Sequence, residues 1–208
     1  MSVTIYVEGG GDQRALKSRC RDGFSAFFAK VVPAGQRPKV VACGSRADAF
    51  DAFKTALRTG ERAVLLLVDA EEPYESGCPG WQHLRQRPGD HWERPPAATD
   101  DHLHLMVRCM EAWFLADRAA LAAFFGQGFQ ESALPGRREV EQIAKADLFS
   151  ALERATKPSR KGKYGKGEHS FKLLGQIDPR RVAAVSPHVK RLLLALGAQE
   201  DALRIAQR

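Results

Sequence analysis

Three acidic residues, Glu8, Asp69 and Glu71, stand where apolar, β-branched runs stop and the backbone must turn. The run Val3-Thr4-Ile5-Tyr6-Val7 ends in Glu8-Gly9-Gly10-Gly11, and residues 63–68 end in Asp69-Ala70-Glu71. Carboxylates grouped without Cys or His suit a hard divalent cation, Mg²⁺ or Mn²⁺. If the chain stays extended through Asp69-Ala70-Glu71, the period of two points both acids to one side. A cation held there would polarise a phosphate, help generate hydroxide and offset charge on the leaving oxygen of a phosphodiester. Glu111 would add a further ligand or a general base acting through water. Lys161, Lys163 and Lys166 would hold a nucleic-acid backbone, or one of them would stabilise developing charge. Plainer accounts make Glu8 and Asp69 turn acids capping helices, Glu111 an exposed helix-start acid, and the lysine loop a solvated connector.

The elements that must position these residues alternate. Asp12 is placed to cap a helix whose stripe is Leu16, Cys20, Phe24, Phe27, Phe28 and Val31, with Pro33 after its end. Lys39-Val40-Val41-Ala42-Cys43 reads as a second strand, and Ser45 with Asp48 as a capping box for a helix carrying Ala49, Phe50, Phe53, Ala56 and Leu57, closed by Gly60. The order β-α-β-α-β argues a parallel sheet with right-handed crossovers, and such sheets bind ligands at the carboxyl ends of their strands. Residues 72–101, rich in Pro, Gly and charge, read as a long ordered loop. Its tryptophans, Trp81 and Trp92, either pack back on the body or lend an aromatic to a flap over the acidic site. A fourth strand over 103–107 precedes a helical region from Met110 to Asp117. The last third reads as a helix over 139–156, a short one through Leu173-Leu174 and one entered at Ser186-Pro187.

The chain has 208 residues, a formal charge of +7 and a pI near 9.4. Eleven basic residues lie between Arg154 and Arg191 against only Glu168 and Asp178, which marks that stretch as the face for a polyanion. No segment approaches the roughly 20 apolar residues of a membrane span, and the N-terminus opens directly into a strand, so a soluble cytoplasmic protein is expected. Cys20, Cys43, Cys78 and Cys109 form no C-x-x-C pair, and Cys20, Cys43 and Cys109, in segments of regular structure, read as core residues of a reducing compartment. A zinc site from Cys78, His83 and His91 fits no usual spacing, and the pair His102 and His104 reads as packing.

The order strand, Glu8-Gly9, then a later strand with Asp69-x-Glu71 resembles the Toprim signature, a glutamate after the first strand and D-x-D after the third, with Glu71 in place of the second aspartate. Glu8-Gly9-Gly10-Gly11-Asp12, Met110 to Asp117 and His169-Ser170-Phe171-Lys172-Leu173-Leu174 extend the likeness over nearly the whole chain, toward Toprim-like proteins related to RloB-type and OLD-type nucleases. Glu111 before Trp113, and Tyr164, Lys166, Phe171 and Leu174, match positions of the RloB-like relatives. The resemblance implies a parallel four-stranded α/β Toprim-like sheet flanked by helices, with a catalytic unit over 1–138 and a basic helical extension over 139–208 packed on it. It implies a metal-dependent nuclease with Glu8, Asp69, Glu71, Glu111 and Lys166 catalytic and Lys161, Lys163, Tyr164 and Lys166 on nucleic acid. It also implies a place in phage defence beside an ABC-type ATPase, and homo-oligomerisation is compatible with it. A rival of another class is a non-catalytic subunit that binds nucleic acid or the ATPase. Gly9-Gly10-Gly11 fits neither nucleotide-binding glycine motif, and an acid before it would repel a phosphate lacking a metal.

Overall fold

The computed structural model describes residues 3–74, 78–136 and 140–205. Four parallel strands, β1 (Thr4–Gly10), β2 (Lys39–Gly44), β3 (Val64–Asp69) and β4 (Leu103–Met106), form one sheet in the order β2-β1-β3-β4. Helix α1 (Arg14–Ala29) links β1 to β2, α2 (Arg46–Arg58) carries the chain back past β1 to β3, and α3 (Gly80–Gln86) precedes β4. The winding therefore reverses between β1 and β3, the point at which open α/β sheets leave a crevice at their carboxyl ends.

Alternate strand residues feed two cores. Ile5, Val7, Leu65 and Leu67 pack with Phe24, Phe27 and Phe28 of α1, while Val64, Leu66 and Val68 pack with Ala49, Phe50 and Phe53 of α2. Burial on both faces is why the strand sequences run apolar without a break, each such side chain contributing roughly 1.5–3 kcal/mol. The first core also takes Leu148 and Leu152 of α5 (Lys145–Thr156), Phe171 and Leu174 of α6 (Ser170–Leu174), Val182 of α7 (Pro179–Ala183) and Leu192 of α8 (Pro187–Ala195). Residues after 140 thus share a core with those before it.

The capping box at α2 forms as its sequence requires, with Asp48 N donating to Ser45 Oγ at 3.1 Å and Ser45 N donating to Asp48 Oδ2 at 3.3 Å. Elsewhere the boundaries differ. Asp12 does not cap α1: the helix starts at Arg14 with Gln13 at the N-cap and no side-chain cap. Helix α5 starts at Lys145, because Ala144 is extended and a separate 3₁₀ turn occupies Val140–Gln142; position 139 lies outside the described residues. The apolar spacing of Val140, Ile143, Leu148 and Leu152 reported burial, which all four share, and not one continuous helix. Helix α4 (Arg118–Phe125), capped by Asp117, and α7, capped by Asp178 with Pro179 in its first turn, carry signals that local reading passed over. Residues 72–101 are not a bare loop, since they contain α3. Trp81 sits 6.2 Å from Phe50 and Phe53 and Trp92 stacks on Phe50 at 4.2 Å, so both tryptophans pack back on α2.

Candidate metal centre

The registers of β1 and β3 align Val7 with Leu67, so Glu8 lies beside Val68 and Asp69 follows one step on. At the same level β1 bulges, with Glu8, Gly9 and Gly10 all pairing with Gly44 of β2. Such a bulge re-aims the side chain at its start, here Glu8. The turn is tight: Gly44 has φ +98°, and a Cβ there would stand 2.6 Å from the Gly11 carbonyl oxygen. Asp69 N donates to Glu8 Oε2 at 3.1 Å, and Met110 N donates to Asp69 Oδ1 at 2.9 Å.

Glu71 reaches the same place by a different route from the extended backbone anticipated. Strand β3 stops at Asp69 and Glu71 adopts φ +65°, a left-handed conformation costing a non-glycine residue roughly 1–3 kcal/mol. Its N–H donates to the Arg108 carbonyl at 2.9 Å, and Arg108 is itself left-handed at φ +62°. One carboxylate oxygen from each of Glu8, Asp69 and Glu71 lies within 4.8 Å of the others. Oxygens on one Mg²⁺ lie about 3–4 Å apart, so the cluster spans little more than a single coordination sphere.

Glu111 stands behind this cluster in the 3₁₀ segment Met110–Ala116, 1 % exposed. Tyr164 Oη donates to its Oε1 at 3.2 Å, while its Oε2 is buried with no hydrogen-bond partner. A cavity of about 310 Å³ opens here, lined by Glu8, Gly9 to Gly11, Asp69, Glu111, Lys166 and Phe171. A larger cavity, about 950 Å³, lies between α2 and residues 91–97 and holds none of these acids.

The electrostatics are those of acids crowded without enough positive charge. Burial, then the negative charges of Glu8 and Glu111, push the Asp69 carboxyl well above the usual aspartate range, against the pull of Lys166. Burial raises Glu8 too, although Arg46 opposes it. Desolvation works against the Lys166 ammonium, but Glu111 and Asp69 outweigh it and hold its pKa above the ordinary lysine value.

A family model described as a domain of unknown function, DUF4276, matches residues 7–197. The chain belongs to that family. Neither the curated proteins nor the solved structures gave a match. In this DUF4276 chain the matched span runs from the middle of β1 through α8, so it contains every side chain of the cavity.

Of the residues anticipated from sequence, Glu8, Asp69, Glu71, Glu111 and Lys166 converge, and the reading of Glu111 as an exposed helix-start acid gives way to burial. Lys161, Lys163 and Tyr164 do not line the cavity. Lys161 places Nζ 3.5 Å from the centroid of the Phe124 ring, and Lys163 pairs with Glu153 at 2.9 Å. Tyr164 is buried, and its hydroxyl is committed to Glu111 rather than presented to a surface ligand. Cys78, His83 and His91 make no zinc cluster among the described residues: His83 Nε2 meets the Ala70 carbonyl at 3.0 Å and His91 Nδ1 the Arg85 carbonyl at 3.3 Å. His102 sits in a 3₁₀ turn against Thr99 while His104 is buried in β4, so they form no ligand pair. Burial pushes the Cys20 thiol up to about 12 and Cys43 up to about 11, as inert core thiols require. Among the described residues no helix is long and apolar enough to cross a membrane.

Three residues at the site escaped the sequence reading. Arg46, first in α2, places Nη1 3.2 Å from Glu8 Oε2 and also donates to the Asp69 carbonyl. Asp90 fixes Arg46 through Nε at 2.9 Å and Nη2 at 2.7 Å, with the guanidinium 5.0 Å from the Trp92 ring. Lys145, first in α5, meets Glu71 Oε2 at 2.5 Å. Arg46 had a signal, since it follows the carboxyl end of a parallel strand. Asp90 and Lys145 had only long-range contacts to reveal them.

Proposed function

We propose that this chain is a metal-dependent nuclease that hydrolyses phosphodiester bonds of DNA or RNA, with Mg²⁺ or Mn²⁺ held by Glu8, Asp69 and Glu71. The observation carrying the proposal is the convergence of those three carboxylates at the carboxyl ends of adjacent parallel strands, beside a buried Glu111 whose Oε2 has no partner. The donor set fits the group: all oxygen, negatively charged and strained into place at Glu71. When bound, such a cation supplies a Lewis acid for the phosphate and a water of lowered pKa. Glu8 offers Oε1, because Asp69 N and Arg46 already occupy Oε2. Glu111, oriented by Tyr164, accepts the proton of the attacking water. Lys166, held as an ammonium by Glu111 and Asp69, faces the charge that develops on the phosphate.

In the same reading nucleic acid is the partner, and the basic stretch from Arg154 to Arg191 extends its contact beyond the cavity. An ABC-type ATPase partner and a phage-defence setting belong to this proposal through the Toprim resemblance alone.

The test is incubation of the purified protein with Mn²⁺ and a pooled set of DNA and RNA, with a chelated control. Products that appear only with the cation support a nuclease. No cleavage of any member, with binding retained, gives the rival reading: a non-catalytic subunit that binds nucleic acid or an ATPase.

A further inference from the structure

Each acid of the site is faced by a base: Glu8 by Arg46, Glu71 by Lys145, and Asp69 with Glu111 by Lys166. These bases differ in freedom. Arg46 is held by three bonds to Asp90, by the Asp69 carbonyl and by the Trp92 ring, so it is fixed whatever else binds. Lys145 has a single ion-pair partner among the described residues, Glu71, and its side chain is about a third exposed on a flexible four-carbon stem.

Its position in the helix is unfavourable. Lys145 is the first residue of α5, where the helix dipole disfavours a positive charge, and its ion-pair partner lies outside α5. What lies opposite explains it. Glu71 Oε2 at 2.5 Å is a candidate cation ligand, so Lys145 Nζ lies at the edge of the coordination sphere. A divalent cation taking Glu71 competes for the charge that holds Lys145, and the nearest new anion is the phosphate that the cation itself would bring in.

We propose that Lys145 is a substrate-phosphate contact of this site: it neutralises Glu71 while no cation is bound and passes to the phosphate when a divalent cation takes the carboxylate. This rests on the metal-dependent reading above. No bond is made or broken in the exchange; one ion pair replaces another.

The test needs two binding measurements on the full chain, Mn²⁺ affinity by paramagnetic titration and affinity for a labelled single-stranded DNA or RNA oligonucleotide in Ca²⁺, which fills the site while limiting cleavage. Lys145→Gln removes the built-in competitor, so Mn²⁺ should bind roughly three- to tenfold more tightly, while oligonucleotide affinity in Ca²⁺ should fall roughly tenfold or more. Lys145→Arg, which keeps the charge, should restore most of the oligonucleotide affinity, and thermal melting checks that both variants fold. Opposite signs for the two ligands are the signature, because a merely structural lysine would move neither or weaken both. Tighter Mn²⁺ with unchanged oligonucleotide affinity overturns the proposal by leaving Lys145 a simple counterion, and unchanged or weaker Mn²⁺ affinity overturns it outright. A wild-type chain that binds no Mn²⁺ overturns the metal-dependent reading itself, a result distinct from either.

Discussion

The backbone N–H of Asp69 donates to Oε2 of Glu8 at 3.1 Å, so the end of β3 aims the acid at the end of β1. That bond joins two strands on either side of the switch point and leaves Oε1 of Glu8 for a ligand. It also places the Glu8 carboxylate where its charge raises the proton affinity of Asp69.

Asp69→Asn should abolish divalent-dependent cleavage, by roughly three orders of magnitude or more, since a catalytic cation supplies several kcal/mol of barrier lowering. The same change should stabilise the cation-free protein at neutral pH. Asp69 has a folded-state pKa above its unfolded value, so between those values the folded chain binds more protons and stability falls as pH rises; the amide removes that loss. Urea unfolding in chelator from pH 4 to 7 reads it. A variant no more stable than wild type at pH 7 contradicts the crowding described here.

Tyr164→Phe deletes the hydroxyl that donates to Glu111 Oε1 and leaves both oxygens of a 1 % exposed carboxylate without a hydrogen bond. Stability should fall by about 1–3 kcal/mol. Because Glu111 lines the cavity beside Asp69, Mn²⁺ should recover part of the loss. Denaturation curves with and without Mn²⁺ check both statements, and equal losses in the two conditions would detach Glu111 from the cation site.

The strands and their acids were legible because burial on both faces forces unbroken apolar runs, and because a run that ends in a carboxylate is conspicuous. The order of elements then placed Glu8 and Asp69 on neighbouring strands, as observed. What stayed hidden was set by contacts distant in sequence. Arg46 reaches Asp90, Glu71 reaches Lys145, and Glu111 reaches Tyr164, pairs separated by 44, 74 and 53 residues. The left-handed turn at Glu71 was hidden as well, since a glutamate carries no local preference for positive φ.

Burial, with Arg191 nearby, lowers the His104 pKa from 6.5 to about 3. Its folded pKa is depressed, so the unfolded chain binds the extra proton between those values, and the stability present above pH 6.5 is lost as pH falls toward 3. His104→Leu should flatten this part of the stability profile. Unfolding free energies of both proteins at pH 4 and pH 7 give the comparison, and parallel profiles would show that His104 takes up its proton as readily in the folded chain as in the unfolded one.

Lys161 and Lys163 lie outside the acidic cavity, so replacing both with Ala should weaken nucleic-acid binding without altering Mn²⁺ affinity. If each contacts a phosphate, the salt dependence of binding should flatten by roughly 1.4–1.8 units. A salt titration in Ca²⁺ measures the slope. No change in it returns these lysines to their ring and ion-pair contacts with Phe124 and Glu153.

Glu8, Asp69 and Glu71 are expected to hold one divalent cation. Anomalous diffraction from crystals soaked in Mn²⁺ addresses it directly. A peak should stand between the three side chains, about 2 Å from an oxygen of each, and be lost in Glu8→Gln crystals. Bound Mn²⁺ found only elsewhere, or no peak between these carboxylates at saturating Mn²⁺, would contradict it.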